Sequence, residues 1–461
     1  MAPVSKAIDR WINFIDHWQL VILFLIVPFV LAPPVLFGPA LFVVPLLWWA
    51  AKHNRDEWIP ATPLNLSLLV LAVMMLVSLF ASYRLSVSLP RVIGMVYSVA
   101  LFLSVARRSR RAQGWWWIYL FLLGAGCLAA VFALFATHWL HKIPILDGIL
   151  QYFPERIRFA WGGEVKGMHP NAMAGILLWV LPPLVSLWAF FILRFRQAAV
   201  QWGNLPVGRW MALLSLATAW VGFVFILTQS RTSYLALLVT LLAMAAWVLP
   251  GRVRRAGLFL AACLALVGLV ALRGLASLSA RLDFLALPAF SLHSLGVRAQ
   301  LWQHALLFIK DMPVTGIGMG TFQPIMEDYF PFFVQRMQFY FGHAHNGFLQ
   351  AALDLGIPGL VAMLALYVGG FWMLARAWLA VADRRPPTRP GETGLHADLA
   401  RALILGVGGA LLADLLYSCL DVIPLGYKEP FFMLLGLAAG LAQRVESGRW
   451  MELPGWRGGR A

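Results

Sequence analysis

Two histidines, His343 and His345, stand two positions apart in the stretch Phe341-Gly342-His343-Ala344-His345-Asn346-Gly347. Imidazole is the side chain best suited to move a proton near neutral pH, so the pair is open to two chemistries. As metal ligands the two have no carboxylate or cysteine close by in sequence, and two nitrogens alone make an incomplete site. As a general base, one imidazole is enough. Arginines supply the complementary chemistry, because a guanidinium offers a planar fork of donors to phosphate oxygens. Arg231 follows Thr228-Gln229-Ser230 between two apolar runs, with almost no loop to lift it into water. At that depth an arginine is costly unless it is paired or faces a polar cavity. It either binds an anion, snorkels to the headgroups, or pairs with a carboxylate such as Asp421. Arg298 sits in a helical-looking segment, where a solvated face is the bland alternative. Arg156 and Arg158 lie in the segment before His169-Pro170-Asn171. No Asp-x-Asp pair accompanies these groups, which favours arginine over a bound metal as counter-charge to an anion.

What must position them is a membrane bundle. The chain has 461 residues, 61% hydrophobic and 12% charged. A soluble domain is nearer half apolar and a quarter charged, so the excess must face lipid. About twelve spans of near 20 residues are expected, at about 18–34, 35–50, 63–82, 91–106, 115–137, 170–193, 210–228, 232–250, 256–275, 348–378, 399–420 and 429–444. The fold expected is an all-α polytopic membrane protein. Residues 1–275 carry the first nine helices, 276–347 a large outer loop with the chemistry, 348–444 the last three helices, and 445–461 a cytoplasmic tail. Arginine clusters (Arg107, Arg108, Arg110 and Arg111; Arg194, Arg196 and Arg209; Arg252, Arg254 and Arg255) fall on alternate connections. By the positive-inside rule these face the cytoplasm, which puts the histidines and 138–169 outside. The formal net charge of +16 is explained by this topology and by anionic lipid or phosphorylated substrate, so nucleic acid is not an expected partner. No Gly-rich run ends in Gly-Lys-Ser/Thr, which disfavours an ATP-driven pump. A twelve-span secondary transporter is the rival class, with Asp414 inside a span as a proton site or an arginine's partner. The three cysteines lie in apolar runs and form no metal motif.

In the outer loop, Val297, Leu301, Ala305 and Phe308 make one helical stripe, with Ser294 as the expected N-cap. Gly316, Gly318 and Gly320 alternate, which suits left-handed turns or a close backbone approach; a phosphate cradle is the functional reading. Aromatics from Phe322 to Phe341 suit interfacial anchoring or sugar stacking. Asn346 either orients an imidazole or caps the following helix, and a short helix, a break at Gly356-Ile-Pro358-Gly359 and then a span are expected.

These pieces, taken in order, resemble the O-antigen ligase and polymerase family of Gram-negative bacteria. The resemblance rests on Ser230-Arg231 opening a span, Arg298-x-x-x-Trp302, Gly316-Ile-Gly318-x-Gly320-x-Phe322, and His345-Asn346 followed by Gly356-x-x-Gly359, with His169-Pro170-Asn171 before a span. Asp354 stands where the family often has glutamate. The resemblance implies a metal-independent, cofactor-free, inverting glycosyltransferase of GT-C-like membrane fold in the bacterial inner membrane, with its site on the periplasmic side. The donor would be an undecaprenyl-diphosphate-linked glycan and the acceptor lipid A–core, or a second lipid-linked glycan in a polymerase. His345 would be the base. Arg231 and Arg298 would hold the diphosphate, with Arg156, Arg158, His343, His169, Asn171, Asn346 and Gly318 contributing to binding.

Overall fold

The computed structural model describes residues 2–30, 43, 45–47, 49–50, 59–140, 143–153, 155–161, 164–202, 206–249, 251–263, 293–331, 342–383 and 392–447. Among the described residues the regular structure is helical, apart from a two-stranded antiparallel ribbon, β1 (Phe159–Trp161) on β2 (Glu164–Lys166). The helices used below are α1 (Ala2–Val30), α2 (Asn65–Phe80), α3 (Leu85–Arg108), α4 (Ala112–Ala136), α5 (Pro144–Leu150), α6 (Pro170–Leu178), α7 (Leu181–Leu193), α8 (Phe195–Gln201), α9 (Val207–Leu227), α10 (Arg231–Val248), α11 (His293–Asp311), α12 (Phe322–Tyr329), α13 (Gly347–Asp383), α14 (Glu392–Ser418) and α15 (Glu429–Glu446).

Among the described residues six helices are long and apolar enough to cross a membrane, or seven if the pair α6–α7 is one bent span. The protein is therefore a multi-pass membrane protein. Expected spans at 18–34 and 63–82 fall on α1 and α2, and those from 91–106 to 232–250 on α3, α4, α6–α7, α9 and α10. The last three fall on α13, α14 and α15. The segments 35–50 and 256–275 lie largely outside the described residues, as do the aromatics from Phe332 to Phe341. Two local expectations need correction. The span 170–193 is two helices bent by 41°, because Pro182 and Pro183 occupy the first turn of α7, where proline is tolerated but cannot extend the preceding helix. Ser294 lies inside the first turn of α11, which begins at His293.

The main core runs through the bundle, with α14 packed on α7 and α10, α15 on α3, and α13 on α2, α14 and α15. A smaller core lies beside α11. There Val297, Leu301 and Ala305 are buried with Ile317, Phe322, Met326, Ala344 and Leu353, and Phe308 packs at the edge. The helical stripe of α11 thus rests on the loop that carries the histidines. The break in α13 is at Gly356, with φ 69° and ψ 177°. A Cβ there would overlap the Val314 carbonyl, while the Ile357 N–H donates to the Pro313 carbonyl at 2.7 Å. The break therefore anchors the Gly316–Gly320 loop to α13.

Candidate active site

The C-terminal end of α14 and the N-terminal ends of α6, α10 and α13 meet at one end of the bundle. Asp421, just past α14, is the hub there. It is 2% exposed. One carboxylate oxygen accepts from the Val422 N–H at 2.9 Å and faces His345 Nδ1 at 3.1 Å. The other accepts from Asn171 Nδ2 at 2.9 Å and from Arg298 Nη2 at 3.2 Å. Burial alone would raise this acid. The hydrogen bond and electrostatics of His345, and the charge of Arg298, outweigh that and hold it well below the usual carboxylate range. Asp421 is therefore an anion at physiological pH.

An anionic acceptor on Nδ1 fixes the His345 tautomer: Nδ1–H donates, and Nε2 keeps its lone pair. The His345 side chain remains 20% exposed. Its backbone is left-handed, at φ 50°, a strained conformation for a residue with a Cβ. That strain is held by clamps on Ala344 next door. The Ala344 N–H donates to Gln350 Oε1 at 2.9 Å, and the Ala344 carbonyl accepts from Trp302 Nε1 at 2.9 Å. Arg298 and Trp302 are one helical turn apart on α11, so one face of that helix both binds Asp421 and fixes the His345 loop. Asp354, buried, accepts from Gln350 Nε2 at 2.7 Å and from the Gly320 N–H at 2.8 Å. It acts at a distance, by holding the residue that holds Ala344.

His343 plays the opposite tautomeric part. Its Nδ1 accepts the His345 N–H at 3.3 Å, which leaves Nε2–H as a donor. The two rings lie 4.4 Å apart at 69°. Burial, and next the neighbouring His345, push His343 well below the ordinary histidine range, so it is neutral. Asn346 caps α13: its Oδ1 accepts from the Phe348 and Leu349 N–H groups, both at 3.0 Å. Its Nδ2 donates to the Cys419 carbonyl at 2.9 Å, tying α13 to the end of α14. His169 caps α6, with Nδ1 accepting the Asn171 N–H at 3.2 Å. Tyr417 donates to the Asn171 carbonyl at 2.9 Å.

The other sequence candidates make no contact with Asp421 among those described. Gly316, Gly318 and Gly320 all have positive φ. They are also packed, since a Cβ at Gly318 would fall 2.6 Å from Ser82 Cα. The Ile317, Met319 and Gly320 N–H groups are engaged by the Leu353 carbonyl, Ser78 and Asp354, so these amides serve packing, not a phosphate. Arg158 pairs with Glu155 at 2.9 Å, and His138 approaches the same carboxylate at 2.6 Å. Arg156 lies over the Phe135 ring. Arg231 is exposed at the start of α10. Thr232 beside it lines one cavity with Leu416, Cys419 and Leu420, which places that helix end next to the Asp421 turn.

Sequence reasoning missed Asp421 as the partner of His345 and Arg298, and saw it only as an ion-pair option for Arg231. The available signal was an acid directly after an apolar span, where an uncompensated carboxylate is costly. With Asp421 in place, the ligand atoms of His343, His345 and Asp421 all lie within 4.8 Å of one another. The donor types suit a transition ion. The Arg298 guanidinium on the same carboxylate places a positive charge where a dication would compete.

A search of curated proteins finds no match. A family model described as O-antigen ligase matches residues 211–364, the stretch that runs from α9 and Arg231 through Arg298 and the glycine loop to His345 and the break in α13. Over that segment, the chain is similar to the O-antigen ligase family.

Proposed function

We propose that this protein transfers O-antigen polysaccharide from an undecaprenyl-diphosphate carrier to lipid A–core, in the inner membrane and on its periplasmic side. The family match over residues 211–364 supports a ligase- or polymerase-type glycosyltransferase. The observation that carries the finer reading is the Asp421–His345 pair, which leaves Nε2 of a partly exposed imidazole as an acceptor beside arginine. His345 Nε2 takes the proton of an acceptor sugar hydroxyl as that oxygen attacks the anomeric carbon. The bond from that carbon to the diphosphate breaks, with inversion, and the diphosphate leaves with the electron pair. Asp421 stabilises the imidazolium as it forms. Arg298 uses one nitrogen on Asp421, so its other N–H groups remain for the diphosphate, where charge grows in the transition state. Arg231 stands at a helix N-terminus, where the macrodipole disfavours a cation; a bound diphosphate offsets this. The diphosphate bond is already activated and the counter-charges are guanidinium groups, so the reading is of a metal-independent reaction.

The test is transfer of purified lipid-linked glycan to lipid A–core in detergent with EDTA. The expected result is activity in the wild type and its loss in His345→Ala. Full activity of that variant would overturn the base assignment. Loss of wild-type activity in EDTA would overturn metal independence. In a deletion strain the expected result is lipid A–core without long glycan and accumulation of lipid-linked polymer. A ladder cut to one repeat would instead identify a polymerase.

A further inference from the structure

Arg91 lies in the first half of α3, directly after Pro90, at the same end of the bundle as His345. Its backbone is wedged against Gly426, where a Cβ would come within 2.6 Å of the Arg91 carbonyl oxygen. Its guanidinium lies on the bare α-carbon of Gly320: a Cβ at Gly320 would overlap Nη1, Cζ and Nε together. The loop that holds α13 thus also makes room for this guanidinium.

Arg91 Nη1 is buried and has no hydrogen-bond partner among the described residues. Asp354 is near enough for the Arg91 charge to act on it, yet it gives one oxygen to Gly320 and Gln350, and its other oxygen is also without a partner. The two form no ion pair among the described residues. The Arg91 charge also reaches His343. A buried donor without an acceptor is destabilising, and more so on a cation within a membrane bundle. An anionic ligand that supplies the missing acceptor would offset both.

We propose that Arg91 is a third guanidinium of the site and takes a phosphate oxygen of the substrate. It is linked to the 343–345 stretch through Gly320, Asp354 and Gln350, as Arg298 is linked to it through Asp421. The proposal rests on the reading of a phosphate-bearing substrate given above. Arg298 shares its charge with Asp421, whereas Arg91 brings a donor that the protein leaves unused. The phosphate has two sources: the diphosphate of a polyprenyl donor, or phosphate groups on the acceptor core.

Binding, not transfer, is the direct test. Full-length protein in nanodiscs is titrated with undecaprenyl diphosphate alone, and separately with phosphorylated and dephosphorylated lipid A–core. The expected result is that Arg91→Gln weakens one phosphate ligand at least about tenfold, the scale of one charge-assisted hydrogen bond, and that Arg91→Lys recovers only part. Weakened undecaprenyl diphosphate assigns the contact to the donor. Weakened lipid A–core, with the difference abolished by dephosphorylation, assigns it to the acceptor. Gly320→Ala, which displaces the guanidinium without removing it, should reproduce the defect. Unchanged affinity for both ligands in folded Arg91→Gln overturns the proposal and leaves Arg91 as a counter-charge for Asp354. If Arg91→Gln does not fold, Arg91→Lys and Gly320→Ala decide on the same titrations. Wild-type protein that binds the diphosphate but transfers nothing would instead overturn the proposed reaction.

Discussion

Asp414 and Asp421 stand about two helical turns apart at the end of α14, and each binds cationic and polar partners. Asp414 accepts from Lys428 Nζ at 3.0 and 3.2 Å and from the Tyr367 hydroxyl. The side chains of Asp414 and Lys428 are each 1% exposed. That cluster is closed: its hydrogen bonds tie α13, α14 and the turn before α15 together, and its lysine stands where an arginine was one expectation. Asp421 has four polar partners to Asp414's two, and one of the four, His345, keeps an open face with a nitrogen unused among the described residues. The contrast teaches that burial and pairing of a carboxylate do not distinguish a structural site from a chemical one. What distinguishes them is whether a partner has reactive capacity left over and a route to the outside.

The comparison can be broken most directly at His345. His345→Ala should reduce transfer by roughly 10²–10⁴-fold, the range for loss of a general base, while the thermal midpoint hardly moves; initial rates beside a melting curve check this. The reverse pattern is expected at Lys428. Lys428→Met leaves Asp414 buried without its cation and should lower stability by about 3–5 kcal/mol, while Asp414→Asn with Lys428→Met should recover much of the loss. Denaturation in detergent reads this, and activity per folded molecule should be retained. Asp421→Asn sharpens the contrast, because it keeps the shape and removes the charge. A drop of about 10- to 150-fold in rate follows from the loss of one charge-assisted hydrogen bond of ~1.5–3 kcal/mol. Asn346→Ala should cost about 1 kcal/mol as a lost helix cap, visible in the melting curve.

The smallest effect concerns pH. His343 is held well below the usual imidazole range, first by burial and then by His345, with His169 and Arg91 adding to the effect and Asp421 opposing it. Below about pH 6.5 the unfolded histidine binds a proton that the folded one refuses. Stability therefore falls as pH drops from about 6.5 towards the folded-state value. His343→Gln should flatten that slope, measured as melting temperature against pH. Asp421 gives the same direction in a lower pH range. Its folded form stays ionised below the ordinary ~3.9 of a free aspartate, so its contribution is present above that value and is lost only as pH falls through the lower folded value.

Much of the scaffold was legible in the sequence because bilayer thickness and helix periodicity are local constraints. The stripe Val297, Leu301, Ala305 is buried as its spacing required, and the break expected near Gly356 is there. The positive φ at three alternating glycines was legible for the same reason. The site was less so. Its hub joins residues with no local relation, and nothing in the sequence around His345 announces a carboxylate 76 positions later. Arg91 passed unnoticed because it looks like any arginine near a span end; only the bare face of Gly320 and the unpartnered Nη1 give it meaning. Arg156 and Arg158 drew notice as outward basic residues, but Phe135 and Glu155 hold them.

The hub also has a consequence for how the protein comes into being. Asn171, Arg298 and His345 precede Asp421 by 250, 123 and 76 residues. A chain made from its N-terminus exposes the imidazole, the arginine and the amide long before the carboxylate that unites them. Such long loops close late, because their entropy must be met before the contact rewards it. The imidazole therefore meets the carboxylate that fixes its tautomer only when the helix before Asp421 has inserted, and on the proposed reading completion of the membrane bundle is itself the step that switches the chemistry on.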